Sequence, residues 1–350
     1  MPVRNRPEGN PDRPPPARFR KESLRLFMLA SAFLLGAQDA RPPRSDRPGA
    51  PQIKGPVMFD TPEADAILGA MQIFPRNSPW NEDISGRPVH PDSEKIIVSI
   101  GKDRRIGLNR DMSFILVPGD QKKVDVRITQ YPNESDKGPF PVPDNAPIED
   151  WPLNKADLEE IQKDGKGDRH VIVLDVSRMT LYEFWRGFKK PTGWEAACEA
   201  TFDLTSNALR PAGWTSSDAA GLPIFPALPR YDECERGKVE HALRFTVRRS
   251  RKEAIYPATH HAGRGRDSAL PAMGQRLRLK ASVDVEDLPK HARAIAEALK
   301  KYGMFVADNG MDWLLSTPPD RRLQGLDALR RLHGSDFEVV ETTGEKDLGR

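Results

Sequence analysis

The side chains best suited to chemistry lie in or just after the segment 203–245. Asp218 and Asp232 belong to a long polar loop rich in proline and glycine. Two carboxylates can share the acid and base roles of glycoside hydrolysis. A third carboxylate, Asp308, follows a predicted strand. Each also has a structural interpretation, Asp218 and Asp232 as first-turn acids of short helices and Asp308 as part of an Asp-Asn-Gly turn.

Histidines offer a second route for proton transfer. His241 falls on the apolar face of a predicted strand, 239–247, so it is either a core histidine or a base beside a cleft. His260 with Tyr256 fits the base and acid of a polysaccharide lyase. The histidines show no His-x-His or His-x-x-x-His spacing, so the sequence predicts neither a metal site nor a cofactor.

The same region supplies side chains that bind sugars. Aromatic faces stack on the C–H surface of a pyranose, while amide and guanidinium groups bind hydroxyls. The predicted substrate-binding residues are Asn207, Arg210, Trp214, Arg244, Tyr256 and Trp313.

The N-terminal 40 residues predict export. Four basic residues, Arg18, Arg20, Lys21 and Arg25, precede an apolar run, 26–37, which a polar break follows. This is the pattern of a secretory signal peptide, and the run is shorter than the roughly 20 apolar residues that span a bilayer. We therefore expect a secreted or periplasmic protein without a membrane span. Residues 41–56 predict a disordered linker rich in proline and arginine.

Charge argues against two classes of partner. The net charge of +3 is carried entirely by residues 1–40, so the remainder is neutral. A neutral protein has no general attraction to nucleic acid or to anionic membranes. The two cysteines, Cys198 and Cys234, either pair in an oxidising compartment or remain two buried thiols.

Strand patterns dominate the remainder, predicted as a single globular domain over 57–345. Alternating apolar residues predict strands at 114–117, 123–131, 169–176, 180–187, 194–204, 239–247, 253–257, 275–284, 304–307, 312–316 and 337–341. Helices are predicted at 61–72, 289–303 and 323–332. Because strands follow one another with little helix between them, the prediction is a strand-rich α+β fold. Its sheet would be mainly antiparallel, sandwich-like or barrel-like, with a few peripheral helices.

Several segments resemble a family of secreted bacterial proteins without an assigned function. They are Ser-Asn-Ala-Leu-Arg-Pro-Ala-Gly-Trp-Thr-Ser-Ser-Asp-Ala-Ala-Gly-Leu-Pro (206–223), Tyr-Asp-Glu (231–233), His-Ala-Leu-Arg-Phe-Thr (241–246), Leu-Lys-Ala-Ser (279–282) and Lys-Tyr-Gly-Met-Phe-Val-Ala-Asp-Asn-Gly (301–310). The resemblance covers about residues 73–342 and implies an exported protein, but it supplies no active site. Residues 170–184 are also similar to the opening strands of L,D-transpeptidases, whose cysteine nucleophile motif is absent here.

Together these patterns predict a secreted carbohydrate-active enzyme, a polysaccharide hydrolase or lyase that uses carboxylates of the 203–235 loop. The expected partner is an extracellular or cell-wall polysaccharide. The alternative is a non-catalytic carbohydrate-binding or cell-surface module. A third possibility is a structural protein in which the loop only packs against the sheet.

Overall fold

The computed structural model describes residues 52–153 and 157–341. Within them the helices are α1 (Pro62–Gly69), α2 (Ser93–Ile100), α3 (Leu158–Lys163), α4 (Tyr231–Arg236) and α5 (Lys290–Lys301). The strands are β1 (Val57–Met58), β2 (Gly107–Arg110), β3 (Ile115–Val117), β4 (Val126–Ile128), β5 (Val171–Asp175), β6 (Thr180–Trp185), β7 (Phe188–Lys190), β8 (Gly193–Ala196), β9 (Cys198–Asp203), β10 (Leu243–Val247), β11 (Arg276–Leu279), β12 (Met304–Asn309), β13 (Leu314–Thr317) and β14 (Phe337–Val339).

The strands form three sheets, of five, six and three strands. Their orders are β1-β3-β5-β6-β9, β14-β11-β12-β10-β13-β2 and β4-β8-β7. Each sheet contains a parallel pair, respectively β3 with β5, β10 with β12 and β4 with β8. The strand-rich α+β prediction is confirmed. Among the strands that the structure describes, seven of the eleven pairs are antiparallel and four are parallel, so the sheets are mixed rather than purely antiparallel. None closes into a barrel within the described residues.

Long connections explain why the parallel pairs were not predicted. A parallel pair needs a crossover of a dozen or more residues, usually a helix. Here β2 and β13 pair in parallel although more than half of the chain separates them, and β10 reaches β12 through irregular segments, β11 and α5. The sequence indicated the helix α5 but not that it lies in a crossover between two parallel strands.

The five-stranded sheet is buried on both faces. In β5, Ile172 and Leu174 point into one apolar cluster, and Val171 and Val173 point into another, as the two-residue period of a strand requires. The first cluster also contains the inner faces of the six-stranded sheet and α5. The second lies against the three-stranded sheet and α3. The side chains on both faces of the five-stranded sheet are therefore surrounded by other parts of the protein.

Local predictions were confirmed where caps or turns define them. Thr61 caps α1 by accepting the Ala64 backbone N–H at 3.2 Å, and the helix predicted at 289–303 is α5. The hairpin predicted over 169–187 is the antiparallel pair β5 and β6.

Other local predictions were wrong. The strand predicted at 194–204 breaks at Ala197 into β8 and β9, which belong to different sheets. No regular strand forms at 253–257, where Ala254 makes an isolated bridge with Met273. The helix predicted at 323–332 is a 3-10 helix, Leu326–Arg331.

The signal peptide predicted over 1–40 lies outside the described residues, as does the linker apart from 52–56. None of the helices in the described part of the chain is long and apolar enough to cross a lipid bilayer.

Candidate functional site

One cavity brings together two of the predicted proton-transfer residues. It has a volume of about 270 Å³ and is named here the histidine–aspartate cavity. It is lined by Tyr131, Asp168, Trp185, Cys198, Thr215, Ser216, Ser217, Ala219, His260, Ala262, Asp308 and Asn309. Residues from the five-stranded sheet, the six-stranded sheet and the 203–235 loop therefore share its wall.

The hydrogen bond that His260 makes fixes its ring. Its Nδ1 lies 2.7 Å from the Ala219 carbonyl oxygen, which can only accept, so Nδ1 carries the proton. In the neutral ring Nε2 then carries the lone pair. No protein partner takes Nε2 among the described residues, and His260 is only half-buried. This arrangement suits a histidine that accepts a proton from a bound molecule.

A β-bulge in β12 immediately precedes Asp308. Phe245 pairs with Val306 and Thr246 pairs with Asp308, so Ala307 is the extra residue. A bulge changes the direction of the side chains that follow it. Burial and the negative charge of Asp218 raise the pKa of Asp308 to about 7. Asp308 is therefore a carboxyl group that still holds its proton over much of the range near neutrality.

The backbone at 219–221 joins these two residues. The Ala220 N–H donates to the carbonyl of Ala307, at 2.9 Å, and the Ala220 carbonyl accepts the N–H groups of Thr259 and His260. Gly221 has φ +72, and a Cβ there would lie 2.0 Å from Thr259 Oγ1. This position therefore requires glycine, and the tight turn keeps His260 and the end of β12 in one wall.

Asp218 lies beneath this turn rather than in the cavity. It is fully buried, and both of its carboxylate oxygens accept from Arg244, each at 2.9 Å. Arg244 also donates to Ser316 Oγ. Burial would lower the pKa of Arg244, but the Asp218 carboxylate outweighs burial and raises it above its usual value. The pair is a buried charge-assisted link from the loop to the six-stranded sheet.

Glu183 makes the matching link to the five-stranded sheet. Its carboxyl oxygens accept the N–H groups of Ile224 and Phe225, at 2.8 to 3.0 Å, and the Ser217 hydroxyl. Burial raises the pKa of Glu183 to about 7. The loop is thus held from both sheets by buried side chains, which restrains the part of the cavity wall that it forms.

A second buried histidine supports the same wall. His170 Nε2 lies 3.0 Å from the Ser217 carbonyl oxygen and Nδ1 lies 3.1 Å from Glu149 Oε2. Burial would lower the pKa of His170, but Glu149 outweighs burial and raises it to about 10, so the ring is charged. Burial and the Glu149 charge raise the pKa of Asp111 to about 8. The segment similar to L,D-transpeptidases therefore contributes a structural ion pair.

Two aromatic rings also line the cavity. The ring centroids of Tyr131 and Trp185 lie 6.2 Å apart, with 46° between their planes. Trp185 Nε1 donates to Asp168 Oδ1 at 3.1 Å. Arg186 places its guanidinium 5.8 Å from the Trp185 ring centroid. An exposed carboxylate is thereby held beside an aromatic pair.

Cys198 lines the cavity but is unsuited to nucleophilic attack. Its Sγ donates to the Ser216 carbonyl at 3.1 Å, and burial raises the pKa of its thiol to about 12. Cys198 and Cys234 are both free and buried, and Cys234 lies in α4. They do not form a disulfide.

Asp232 and His241 belong to a different group, named here the α4 charge cluster: Arg230, Asp232, Glu233, Arg236 and His241. Asp232 pairs with Arg236 at 2.8 Å, and His241 Nε2 lies 3.2 Å from Glu233 Oε2. Burial would raise the pKa of Glu233, but Arg230 and His241 lower it to about 2. His241 lines a separate cavity of about 260 Å³ together with Arg230, Glu233 and Arg236. The structure therefore does not bring Asp218 and Asp232 together as an acid–base pair.

Most of the predicted sugar-binding residues lie elsewhere or are occupied. Arg210 pairs with Asp136 at 2.5 Å and donates to the carbonyls of Thr215 and Glu134. Trp214 is half-buried and lies 5.6 Å from the Arg210 guanidinium. Asn207 is exposed and donates to Asn77.

Trp313 cannot stack on a sugar because it is fully buried against Phe245 and Phe337, with Nε1 donating to the Gly101 carbonyl. Arg244 is committed to Asp218, as described above. Tyr256 is half-buried and lies outside the lining of the histidine–aspartate cavity.

The sequence analysis missed Tyr131, Trp185 and Asp168, which precede the 203–235 loop on which it concentrated. The available signal was Trp185, a tryptophan near the end of the strand predicted at 180–187. A larger groove, of about 420 Å³, lies beside α5. Four basic and four acidic side chains line this groove, but no histidine does, so it offers no comparable proton-transfer pair.

Within the described residues, no group of three or more His, Cys, Asp or Glu side chains is arranged to hold a metal ion. Comparison with protein-family models, with curated proteins and with solved structures yields no match. The functional argument therefore depends on the geometry of the cavity itself.

Proposed function

We propose that this protein is a carbohydrate-active hydrolase that works in the histidine–aspartate cavity. Asp308 acts as the general acid, and His260 acts as the general base. The single observation that carries the proposal is that both side chains line one open cavity that an aromatic pair also lines. The residues that form this site replace the Asp218 and Asp232 pair that the sequence suggested.

The raised pKa of Asp308 supports the acid role. A general acid works best when its pKa lies near the working pH, because it must hold a proton and still release it to the leaving oxygen. Asp308 has a pKa of about 7 for two reasons that the fold supplies, burial and the nearby Asp218 charge. Breaking the glycosidic C–O bond would transfer its proton to the departing hydroxyl group.

The orientation of His260 supports the base role. With Nδ1 donating to Ala219, Nε2 is the atom that would accept a proton from the attacking water. The oxygen of that water forms the new bond to the sugar carbon, so hydrolysis consumes one water and leaves two sugar ends. The proton that His260 takes balances the one that Asp308 gives.

The remaining lining suits a sugar ring. Tyr131 and Trp185 offer apolar ring surface. The volume of about 270 Å³ lies just below the roughly 300 Å³ at which pockets for drug-sized ligands begin. The cavity is therefore sized for a small unit of a longer chain.

Hydrolysis fits the site better than elimination. A polysaccharide lyase would place a uronate carboxylate where a cation neutralises it. No lysine or arginine is among the described residues that line this cavity, and Arg244 is buried and paired with Asp218. The apolar run at 26–37 supports a secreted or periplasmic location, where extracellular or cell-wall polysaccharide would be the substrate.

The test is turnover of a polysaccharide panel, measured as new reducing ends. Asp308→Asn and His260→Gln should each lower turnover by about 10²- to 10⁴-fold, the usual value of positioned acid–base catalysis, while keeping the native fold. Asp120→Asn, an exposed aspartate outside the cavity, serves as the matched control.

Two results would count against the proposal. Unchanged turnover in both cavity variants would remove His260 and Asp308 from the chemistry. Tight sugar binding without any turnover, equally strong in Asp308→Asn and in the natural protein, would instead identify a non-catalytic carbohydrate-binding module.

A further inference from the structure

We infer that the sugar unit held in the histidine–aspartate cavity carries a free amino group, and that the Asp168 carboxylate recognises it. The inference rests on the proposed function and narrows its substrate to polymers that contain amino sugars. Three observations carry it: how Asp168 is held, what lies next to it, and which charges line the rest of the cavity.

Asp168 is an exposed carboxylate held in place without a charged partner. Trp185 Nε1 donates to its Oδ1 at 3.1 Å, and its backbone carbonyl accepts the Arg186 N–H at 2.8 Å. No salt bridge among the described residues involves Asp168, whereas Glu195 and Asp144 each have one. A fixed carboxylate at the edge of a cavity is therefore available to a cation from solution.

The neighbouring rings favour the same ligand. An ammonium group is stabilised both by the face of an aromatic ring and by a carboxylate. Arg186 already covers part of Trp185, at 5.8 Å from the ring centroid. Tyr131, which is 38% exposed, leaves much of its ring open beside Trp185. The Tyr131 ring and the Asp168 carboxylate are thus the parts of this wall that a ligand can use.

The rest of the lining disfavours an acidic sugar. Asp168 is the carboxylate of the cavity wall that is free to meet a ligand, Asp308 holds its proton as the proposed general acid, and no lysine or arginine is among the described lining residues. A uronate would bring a second carboxylate next to Asp168 without a cation to neutralise it, whereas a protonated amino sugar would bring the opposite charge. A glucosamine-type unit is the common sugar whose chemistry meets these conditions.

Binding to the Asp308→Asn variant separates this inference from the proposed function, because the variant should not consume its ligand. We would measure the affinity, by calorimetry at mildly acidic pH, for matched oligomers of glucosamine, N-acetylglucosamine, glucose and galacturonate. Glucosamine oligomers should bind at least tenfold more tightly than the others. Adding Asp168→Asn should abolish that preference, whereas Asp168→Glu should retain part of it, and Asp120→Asn should leave it unchanged.

Each outcome tests the amino-sugar inference, the proposed hydrolase function, or both. Equal or tighter binding of neutral, acetylated or acidic oligomers would overturn the amino-sugar inference and leave the hydrolase proposal standing. Preference for glucosamine that survives Asp168→Asn would overturn the role of Asp168. Failure of every oligomer to bind, with no turnover by the natural protein, would overturn both.

Discussion

The histidine–aspartate cavity and the α4 charge cluster contain the same kinds of side chain in opposite conditions. In the cluster, Glu233 is surrounded by Arg230 and His241, and its pKa falls to about 2. In the cavity, burial and the negative charge of Asp218 raise the pKa of Asp308 to about 7. Both groups are carboxylic acids that burial alone would keep protonated, so their charged neighbours decide which one is a structural ion and which one is a proton donor.

The largest effect that separates the two regions should be on stability. Glu233→Gln removes the carboxylate that holds both Arg230 and His241 and leaves buried positive charge without its partner. We expect a loss of about 3–5 kcal/mol in the free energy of unfolding, measured by urea titration. A loss below about 1 kcal/mol would show that the cluster is not the buried ion-pair network described here.

A smaller effect tests the turn that joins His260 to β12. Gly221→Ala puts a methyl group against Thr259 Oγ1 and the Trp214 carbonyl at a φ of +72. We expect it to cost about 1–3 kcal/mol of stability and to lower turnover by displacing His260. Gly86→Ala, where a Cβ would meet nothing within 4 Å, is the matched control. Equal effects of the two substitutions would contradict the constraint.

The smallest effect is the dependence of stability on pH that Asp308 contributes. Its folded pKa, about 7, lies above the ordinary value of 3.8. The stability that this group contributes is therefore fully present below pH 4 and is lost as the pH rises towards 7. Asp308→Asn should avoid the loss and should be more stable than the natural protein by about 2 kcal/mol at pH 8.

Urea titrations at pH 4 and pH 8 check this sign. The difference between Asp308→Asn and the natural protein should grow from the lower pH to the higher. A difference that shrinks instead would mean that Asp308 is stabilised as an ion, like Glu233, and would remove it as a candidate acid.

The sequence predicted elements best where a local device defines them. The Thr61 cap, the amphipathic α5 and the β5–β6 hairpin each follow from residues close together in the chain. Sheet membership depends on distant partners, so the break at Ala197 and the parallel pairing of β2 with β13 were not predictable from strand patterns.

The site shows the same division. His260 and Asp308 were named from the sequence because histidine and aspartate are the residue types that transfer protons, and the structure places both in one cavity. Asp218 and Arg244 were equally suitable by type, but they neutralise each other in the interior, which residue type alone does not reveal. Tyr131 and Asp168 carried no distinctive sequence signal.

The pairing of β2 with β13 also has a consequence for synthesis. Asn109 in β2 lies opposite Ser316 in β13, which leaves the ribosome much later. The cavity likewise combines Tyr131 and Asp168 with His260 and Asp308, so the growing polypeptide cannot complete it until β12 has been translated. A nascent chain stalled or cut before β12 would lack Asp308 and Asn309, and with Asp308 it would lack the proposed general acid. The proposed activity would therefore require translation beyond β12.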